Sequence, residues 1–176
     1  IAKPVYGRGS RGVHVVRSST ELKGYLALYG RRFEDILVQP YMEGVEYTVS
    51  VIVNDTNTIL GIVPKRVIEK RGITRAAVAE RNLAIERACR KVVSALEPRG
   101  LFNVQLKLVE GKVYIFEINP RLSTTVVLTD KAFGNEVELY LDHQGKTHVK
   151  GLPRMKKGVS LYRYEENVFV RGKKRI

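Results

Sequence analysis

The 176-residue sequence predicts an α+β fold, either one domain or two small lobes sharing a cleft. Three observations predict it. Strand-like alternation recurs in short runs separated by turn residues. A single long amphipathic stripe begins near Val78. Two alternating runs, 102–108 and 113–119, flank Glu110-Gly111-Lys112 and read as an antiparallel hairpin spanning 100–121.

In chain order, Lys3-Pro4-Val5-Tyr6 leads into Gly7-Arg8-Gly9-Ser10-Arg11-Gly12 and then Val13-His14-Val15-Val16. The glycines match G-x-G-x-x-G, but a dinucleotide site of that type needs a helix opening at the loop and an acidic residue about twenty positions on. A β-branched run follows instead. The Gly-Lys-Ser/Thr ending of a P-loop is absent as well. What remains is a strand–glycine loop–strand hairpin: a plain turn, or a flap whose N–H groups can close over phosphates.

Ser18-Ser19-Thr20-Glu21 has the form of a capping box, and Leu22, Tyr25, Leu26 and Tyr29 recur at helical spacing up to Gly30. A polar connector (31–35), a strand (36–39) and a hinge (40–44) come next. Residues 45–53 alternate as a strand, Asn54-Asp55-Thr56-Asn57 turns, and 58–63 returns. The stretch 65–75 reads as a basic loop. From Val78 the pattern is helical, with Leu83, Ile85, Ala88, Cys89, Val92, Val93 and Leu96 as the buried stripe and Pro98 and Gly100 ending it. After the hairpin, 122–129 leads to a short helix at 136–141, and 143–154 reads as loop. A last hairpin is expected from 159–164 and 168–170, turning at Glu165-Glu166-Asn167.

The 100–121 hairpin carries the chemistry. Alternation puts Asn103, Gln105 and Lys107 on one face and Phe102, Val104, Leu106 and Leu108 on the other. On the return strand Val113, Ile115, Glu117 and Asn119 alternate with Tyr114, Phe116 and Ile118. A three-residue turn then sets Gln105 opposite Glu117 and Asn103 opposite Asn119. A carboxylate between Phe116 and Ile118 is costly if unpaired. A hard cation held by oxygen ligands resolves that cost, and Mg²⁺ shared with nucleotide phosphates is the usual instance. The alternative is an amphipathic edge hairpin with a wet polar face.

The formal net charge of +13 invites a nucleic-acid reading. The basic residues are spread along the chain, however, apart from Lys156-Lys157 and the tail 171–175, and tryptophan is absent. Basic residues equally suit a polyphosphate ligand. Cys89 is the only cysteine, which excludes a disulfide framework or a cysteine zinc site within one chain and points to a buried thiol. The histidines His14, His143 and His148 lack ligand spacing. No run has the length of a membrane span and no signal pattern opens the chain, so a cytoplasmic setting is expected. Ile1-Ala2-Lys3-Pro4 reads as the middle of a strand, which suggests a fragment.

Together these pieces resemble the ATP-grasp superfamily, and within it the carbamoyl phosphate synthetase large-chain-like branch. The resemblance rests on KPVYGRGSRGV, VQPYMEGVEYTVSV, GLFNVQ, and FEINPRLSTT followed by LTDKAFG, in the family's order over residues 1 to about 145. It implies two α+β lobes with antiparallel sheets gripping ATP, the glycine loop as lid and the N-terminal part of the fold missing. The implied division is 1–39 as a partial lid lobe, 40–145 as the catalytic and metal-binding lobe, and 146–176 as a C-terminal hairpin and basic tail.

By position, Lys3 resembles the lid lysine that contacts nucleotide phosphates, with Gly7, Arg8, Gly9, Ser10 and Gly12 covering the β- and γ-phosphates. The main chain of Gln39, Pro40, Tyr41 and Met42 would read the adenine edge, and Glu46 would accept from ribose hydroxyls. Gln105, Glu117 and Asn119 match the ligands of Mg²⁺ or Mn²⁺. Arg121 matches the arginine that stabilises the transferring phosphoryl group. Arg66 and Arg75, in the basic stretch, are further catalytic candidates. Two departures stand out. The segment 65–70 replaces a histidine-containing glycine loop, and Thr124 stands where carbamoyl phosphate synthetases have an arginine. The basic stretch and VSLYRYEENVFV look more like small ligases of this branch, including amino-acid ligases.

The activity so implied is that of an ATP-dependent carboxylate–amine ligase, in which an acyl phosphate forms from a small carboxylate and is captured by an amine or similar nucleophile. ATP, the carboxylate and an upstream N-terminal domain are the expected partners, and a former domain interface left exposed could pair two copies. The competing readings are a nucleotide-binding fragment without turnover and a basic nucleic-acid-binding domain.

Overall fold

The computed structural model describes every residue except 8, 31, 172, 173 and 176. A six-stranded antiparallel sheet forms the body, in the order β7-β6-β3-β4-β5-β8. Its strands are β3 (Val45–Val53), β4 (Ile59–Arg71), β5 (Ile73–Ala79), β6 (Gly100–Val109), β7 (Lys112–Asn119) and β8 (Ser160–Tyr162). Before it, β1 (Ala2–Pro4) pairs with β2 (Ile36–Val38), and helix α1 (Ser19–Leu28) packs on that pair through Tyr25, Leu22 and Leu26. The short strands β9 (Val170–Arg171) and β10 (Lys174–Arg175) pair with each other.

The central strand β3 decides how the layers stack. Its odd positions Tyr47, Val49, Val51 and Val53 are buried against helix α2 (Leu83–Leu96), which contributes Ile85, Cys89 and Val93. Each fully buried apolar side chain of this kind contributes about 1.5–3 kcal/mol. Burial also pushes the Cys89 thiol up to about 12, so the buried, inert thiol expected from sequence is the one found. The even positions Thr48 and Ser50 point to the opposite face, which is covered by α3 (Val126–Ala132) and α4 (Glu136–Asp142). There the small side chains of Ala77 and Ala79 on β5 admit Leu128 and Ala132 of α3.

The cap expected for α1 forms, and α2 and α4 are capped by asparagines. Ser18 Oγ accepts from the Glu21 N–H at 3.1 Å, while Glu21 reaches back to the Arg17 N–H at 2.7 Å, one residue earlier than a standard box. Asn82 caps α2 by accepting from Ala84 and Ile85, and Asn135 caps α4 by accepting from Val137 and Glu138.

Four expectations are corrected. The stretch 65–75 is not a loop: β4 runs on to Arg71, turns at Gly72 and returns as β5, which takes in Val78. Beyond Ile68 the outgoing strand is exposed, so no inward apolar alternation marked it, and the alanines of β5 mimicked a helix start. The hairpin around the glycine loop shrinks to one bridge, Ala2 with His14, because Gly9, Ser10 and Gly12 all adopt left-handed φ values of 61°, 59° and 72°. The last hairpin does not pair 159–164 with 168–170: the first run gives β8, which joins β5, and Val170 belongs to β9, which pairs with β10.

The fourth correction concerns the central hairpin. Its turn has two residues, Glu110 and Gly111, both left-handed at φ 48° and 79°, with Val109 opposite Lys112. That register would leave Gln105 opposite Phe116, but a bulge intervenes and Phe116 has no partner across the ladder. Gln105 is therefore opposite Glu117, and Asn103 opposite Asn119, as expected from a turn one residue longer. The bulge also swaps the faces behind it. Val113 and Ile115 join the core, not the face of Glu117.

Glycine matters at one more place. A Cβ on Gly44, at the hinge before β3, would stand 2.6 Å from the Leu108 carbonyl oxygen. Gly44→Ala is expected to destabilise the chain by about 1–3 kcal/mol, seen as a lower urea midpoint. An unchanged midpoint would show that the hinge does not need this close approach to β6.

Candidate functional site

The candidate site lies on the α3/α4 face of the sheet, along its β7 side. Glu46, Thr48 and Ser50 on β3 stand opposite Lys107, Gln105 and Asn103 on β6, and the last two stand opposite Glu117 and Asn119 on β7. Directly opposed residues share a face, so Gln105, Glu117 and Asn119 form one patch. Asn119 Nδ2 donates to Glu117 Oε1 at 2.7 Å. Glu117 is exposed, so the burial cost inferred from its neighbours does not arise. Among the described residues no three His, Cys, Asp or Glu side chains converge. A cation here would rest on one carboxylate and two amide oxygens, a hard donor set that suits Mg²⁺ shared with phosphates.

The N-terminal segment meets the six-stranded sheet at two points, of which the first lies beside this patch. Lys3 Nζ donates to the Phe116 carbonyl at 3.1 Å and lies 6.0 Å from the centre of that ring. The glycine loop reaches the β4–β5 turn, where a Cβ on Gly72 would stand 3.8 Å from the Gly9 oxygen. Gly7, Gly9 and Ser10 are exposed, while Gly12 is held by its carbonyl, which accepts from Tyr25 Oη at 2.8 Å. Arg8 lies outside the described residues.

At the hinge, both main-chain groups of Gln39 are taken by Ile1, with N–H to O at 2.9 Å and O from N at 2.8 Å. Among the described residues Pro40, Tyr41 and Met42 make no main-chain hydrogen bond, so an adenine edge would meet Tyr41 and Met42 and not Gln39. Glu46 is already paired with Lys70 at 2.6 Å, and Lys107 is 3.9 Å away. Arg121 is exposed just past Asn119-Pro120, its Nη1 on the Leu122 carbonyl at 3.0 Å. Arg66 does not join the group. It stands opposite Tyr47 on the α2 face, bound to Glu80 at 3.2 Å, and Glu80 also accepts from Tyr47 Oη at 2.5 Å. Burial, and then that bond, holds the Tyr47 phenol well above its ordinary range. Arg75 lies on β5, three strands from β6, and pairs with Glu165 at 2.9 Å.

Sequence reasoning missed the support under the patch. Lys65 is fully buried, opposite Thr48, and its ammonium donates to Ser50 Oγ at 2.6 Å and Thr129 Oγ1 at 2.7 Å. Burial lowers its pKa from 10.5 to about 8, partly offset by Glu136. Thr48 donates to Asn103 at 2.7 Å and meets Ser123 at 3.3 Å, which in turn meets Thr125 at 2.8 Å. This hydroxyl chain ties the 121–125 loop to β3. Its one sequence signal was hydroxyl residues at the even positions of an otherwise apolar strand.

A family model described as "ATP-grasp in the biosynthetic pathway with Ter operon" matches residues 32–167. The chain belongs to the ATP-grasp family. The ATP-grasp chain is 28% identical over 147 residues to the "Carbamoyl phosphate synthase large chain, C-terminal section" of Aquifex aeolicus, covering 76% of itself and 27% of that protein. It is 32% identical over 148 residues to the carbamoyl phosphate synthase large chain of Thermus thermophilus, of which it spans 14%. Among solved structures, N5-carboxyaminoimidazole synthetase from Staphylococcus aureus, complexed with ADP, superposes with a TM-score of 0.66 at 15% identity, covering 88% of this chain and 42% of that one. Biotin carboxylase from Campylobacter jejuni gives 0.67 at 15% identity, over 85% and 37%. At such identities what is shared is the α+β ATP-grasp fold. Among the described residues, no helix of this ATP-grasp chain is long and apolar enough to cross a membrane.

Proposed function

We propose that this ATP-grasp chain is the ATP- and Mg²⁺-binding portion of an ATP-dependent carboxylate–amine ligase. The observation that carries the reading is the alignment of Gln105, Glu117 and Asn119 on one sheet face, with the lid lysine Lys3 resting on the bulge beside them. In this reading a carboxylate oxygen bonds to the γ-phosphorus as the bond to the β–γ bridging oxygen breaks. ADP leaves, and an amine or similar nucleophile attacks the acyl carbon of the acyl phosphate, losing its proton as the C–O bond breaks and inorganic phosphate departs. Such chemistry asks for positioning and charge stabilisation more than for a general base.

Lys3 and residues 7–12 would enclose the phosphates, and Tyr41 and Met42 would meet the base. Glu46 would accept ribose hydroxyls once Lys70 gives way. Gln105, Glu117 and Asn119 would hold the metal, which when bound supplies charge neutralisation at the phosphate oxygens. Arg121 would face the developing charge. Arg66, turned to the other face, has no part in this scheme, and Arg75 is reserved to the ion pair with Glu165. The relatives are several times longer, and we place the remainder of the acceptor site on an N-terminal domain.

Two measurements test the reading: calorimetric titration with ATP in Mg²⁺ and in EDTA, and ADP release across a panel of amino acids. Binding that needs the metal, followed by turnover with at least one carboxylate, is expected. Absence of nucleotide binding would overturn it, and binding without ADP release on any carboxylate would leave a nucleotide-binding module in its place.

A further inference from the structure

The α2 face of the sheet is not fully covered. Six strands spaced about 4.8 Å apart make a face of roughly 25–30 Å, and α2 spans about 10 Å of it. Cross-strand partners show where the cover thins. Val104 and Leu106 on β6 are fully buried, while Ile118 opposite Val104 is 39% exposed and Ile115 opposite Leu106 is half-buried. At that margin a groove of about 320 Å³ opens, lined among others by Val92, Leu96, Leu101, Phe102 and Ile118, with Arg99 as its one charged residue. Leu96 is 62% exposed. The groove backs onto the candidate site, since Ile118 stands between Glu117 and Asn119 on β7 and alternates with them.

Charge and geometry define what fits there. Residues 87–99 hold four cations, Arg87, Arg90, Lys91 and Arg99, against one carboxylate, Glu97, and all five are exposed. Among the described residues none of these cations has an ion-pair partner. The outer edge of β7 is a poor template for an added strand. Its ladder is broken at the bulge, and the Phe116 carbonyl already accepts from Lys3. Helices pack side by side at about 8–10 Å, so the margin beside α2 suits a second helix. Apolar side chains on that helix would fill the groove, and carboxylates along its flanks would meet the cations.

We infer that the strip between α2 and the outer strand β7 is a docking surface for an acidic amphipathic helix of a partner protein. The partner helix lies beside α2, with its apolar stripe in the groove and its carboxylates against Lys91 and Arg99. The inference is independent of the ligase reading, because the strip is on the reverse of the nucleotide patch.

The test uses the 176-residue chain and a stapled helical peptide of about 15 residues, with leucines at i, i+3, i+4 and i+7 flanked by glutamates. A twin peptide carries lysines in place of the glutamates. Fluorescence anisotropy should show saturable binding of the acidic peptide, with the lysine twin at least about tenfold weaker. In ¹H–¹⁵N spectra the backbone signals of Leu96, Arg99, Leu101 and Ile118 should shift with the acidic peptide. Leu96→Glu, at an exposed position, should weaken that peptide by about tenfold or more. The double variant Lys91→Glu/Arg99→Glu should prefer the lysine twin, and it keeps the test open if Leu96→Glu fails to fold. No saturable binding, equal binding of the two peptides, or shifts confined to other surfaces would each overturn the inference. So would self-association in sedimentation that Leu96→Glu abolishes, because a second copy would then be the occupant.

Discussion

Lys65→Ala is expected to destabilise the chain by about 3–5 kcal/mol, the loss typical of breaking a buried charge arrangement. Lys65 is fully buried, its ammonium held by the hydroxyls of Ser50 and Thr129, and its charge is balanced at a distance by the buried Glu136. Truncation would strand Glu136, whose Oε1 already lacks a hydrogen-bond partner, and leave two hydroxyls without their donor. Pairing Lys65→Met with Glu136→Gln removes both charges and should recover most of the loss in urea unfolding. If the double variant is no better than Lys65→Ala, the two side chains are not electrostatically coupled.

The same lysine sets a pH dependence whose sign can be worked out. Its pKa falls from 10.5 to about 8 on folding, chiefly by desolvation. Between those values the unfolded chain holds the proton and the folded one does not, so stability rises with pH across the window. The contribution is present above about pH 10.5 and is lost as pH falls through about 8. It amounts to about 3 kcal/mol at most. Urea midpoints of wild type and Lys65→Met should therefore diverge between pH 7.5 and 10, with the wild type gaining. Parallel curves would mean that Lys65 titrates alike in both states.

The second large effect falls on activity. Glu117→Ala should lower Mg-dependent ADP release by about two orders of magnitude, equivalent to about 3 kcal/mol of barrier. Glu117 is the one carboxylate of the patch, and Gln105 and Asn119 offer only neutral oxygens to a dication. Because Glu117 is exposed, the change should leave stability within about 0.5 kcal/mol. That separates a metal role from a folding role. Turnover undiminished in the alanine variant would remove the metal assignment.

What the sequence disclosed was local. Alternation fixed β3, the hairpin strands and the patch; helical spacing fixed α1, the body of α2 and α4, and the Ser18 cap signal marked the start of α1. What it concealed depended on partners far along the chain. Lys65 looked like one more charge in a basic run, because the groups that make its burial tolerable lie 15 and 64 residues away. The β4–β5 ribbon carried no apolar alternation beyond the body of the sheet. Arg66 and Arg75 could not be sorted from Arg121 without knowing which face each strand presents. Gln105 and Glu117 were matched correctly, although a turn one residue too long had stood in for the bulge.

That bulge has a consequence for how the two halves of the grip meet. Phe116 is surplus to the pairing: a ladder closed without it would still align Gln105 with Glu117. What such a ladder would lack is the outward carbonyl on which the Lys3 ammonium sits. The hairpin thus keeps a mooring for the Lys3 ammonium beside the patch. On the proposed reading, closure over nucleotide would exchange one oxygen for another and would not capture a charge from open water.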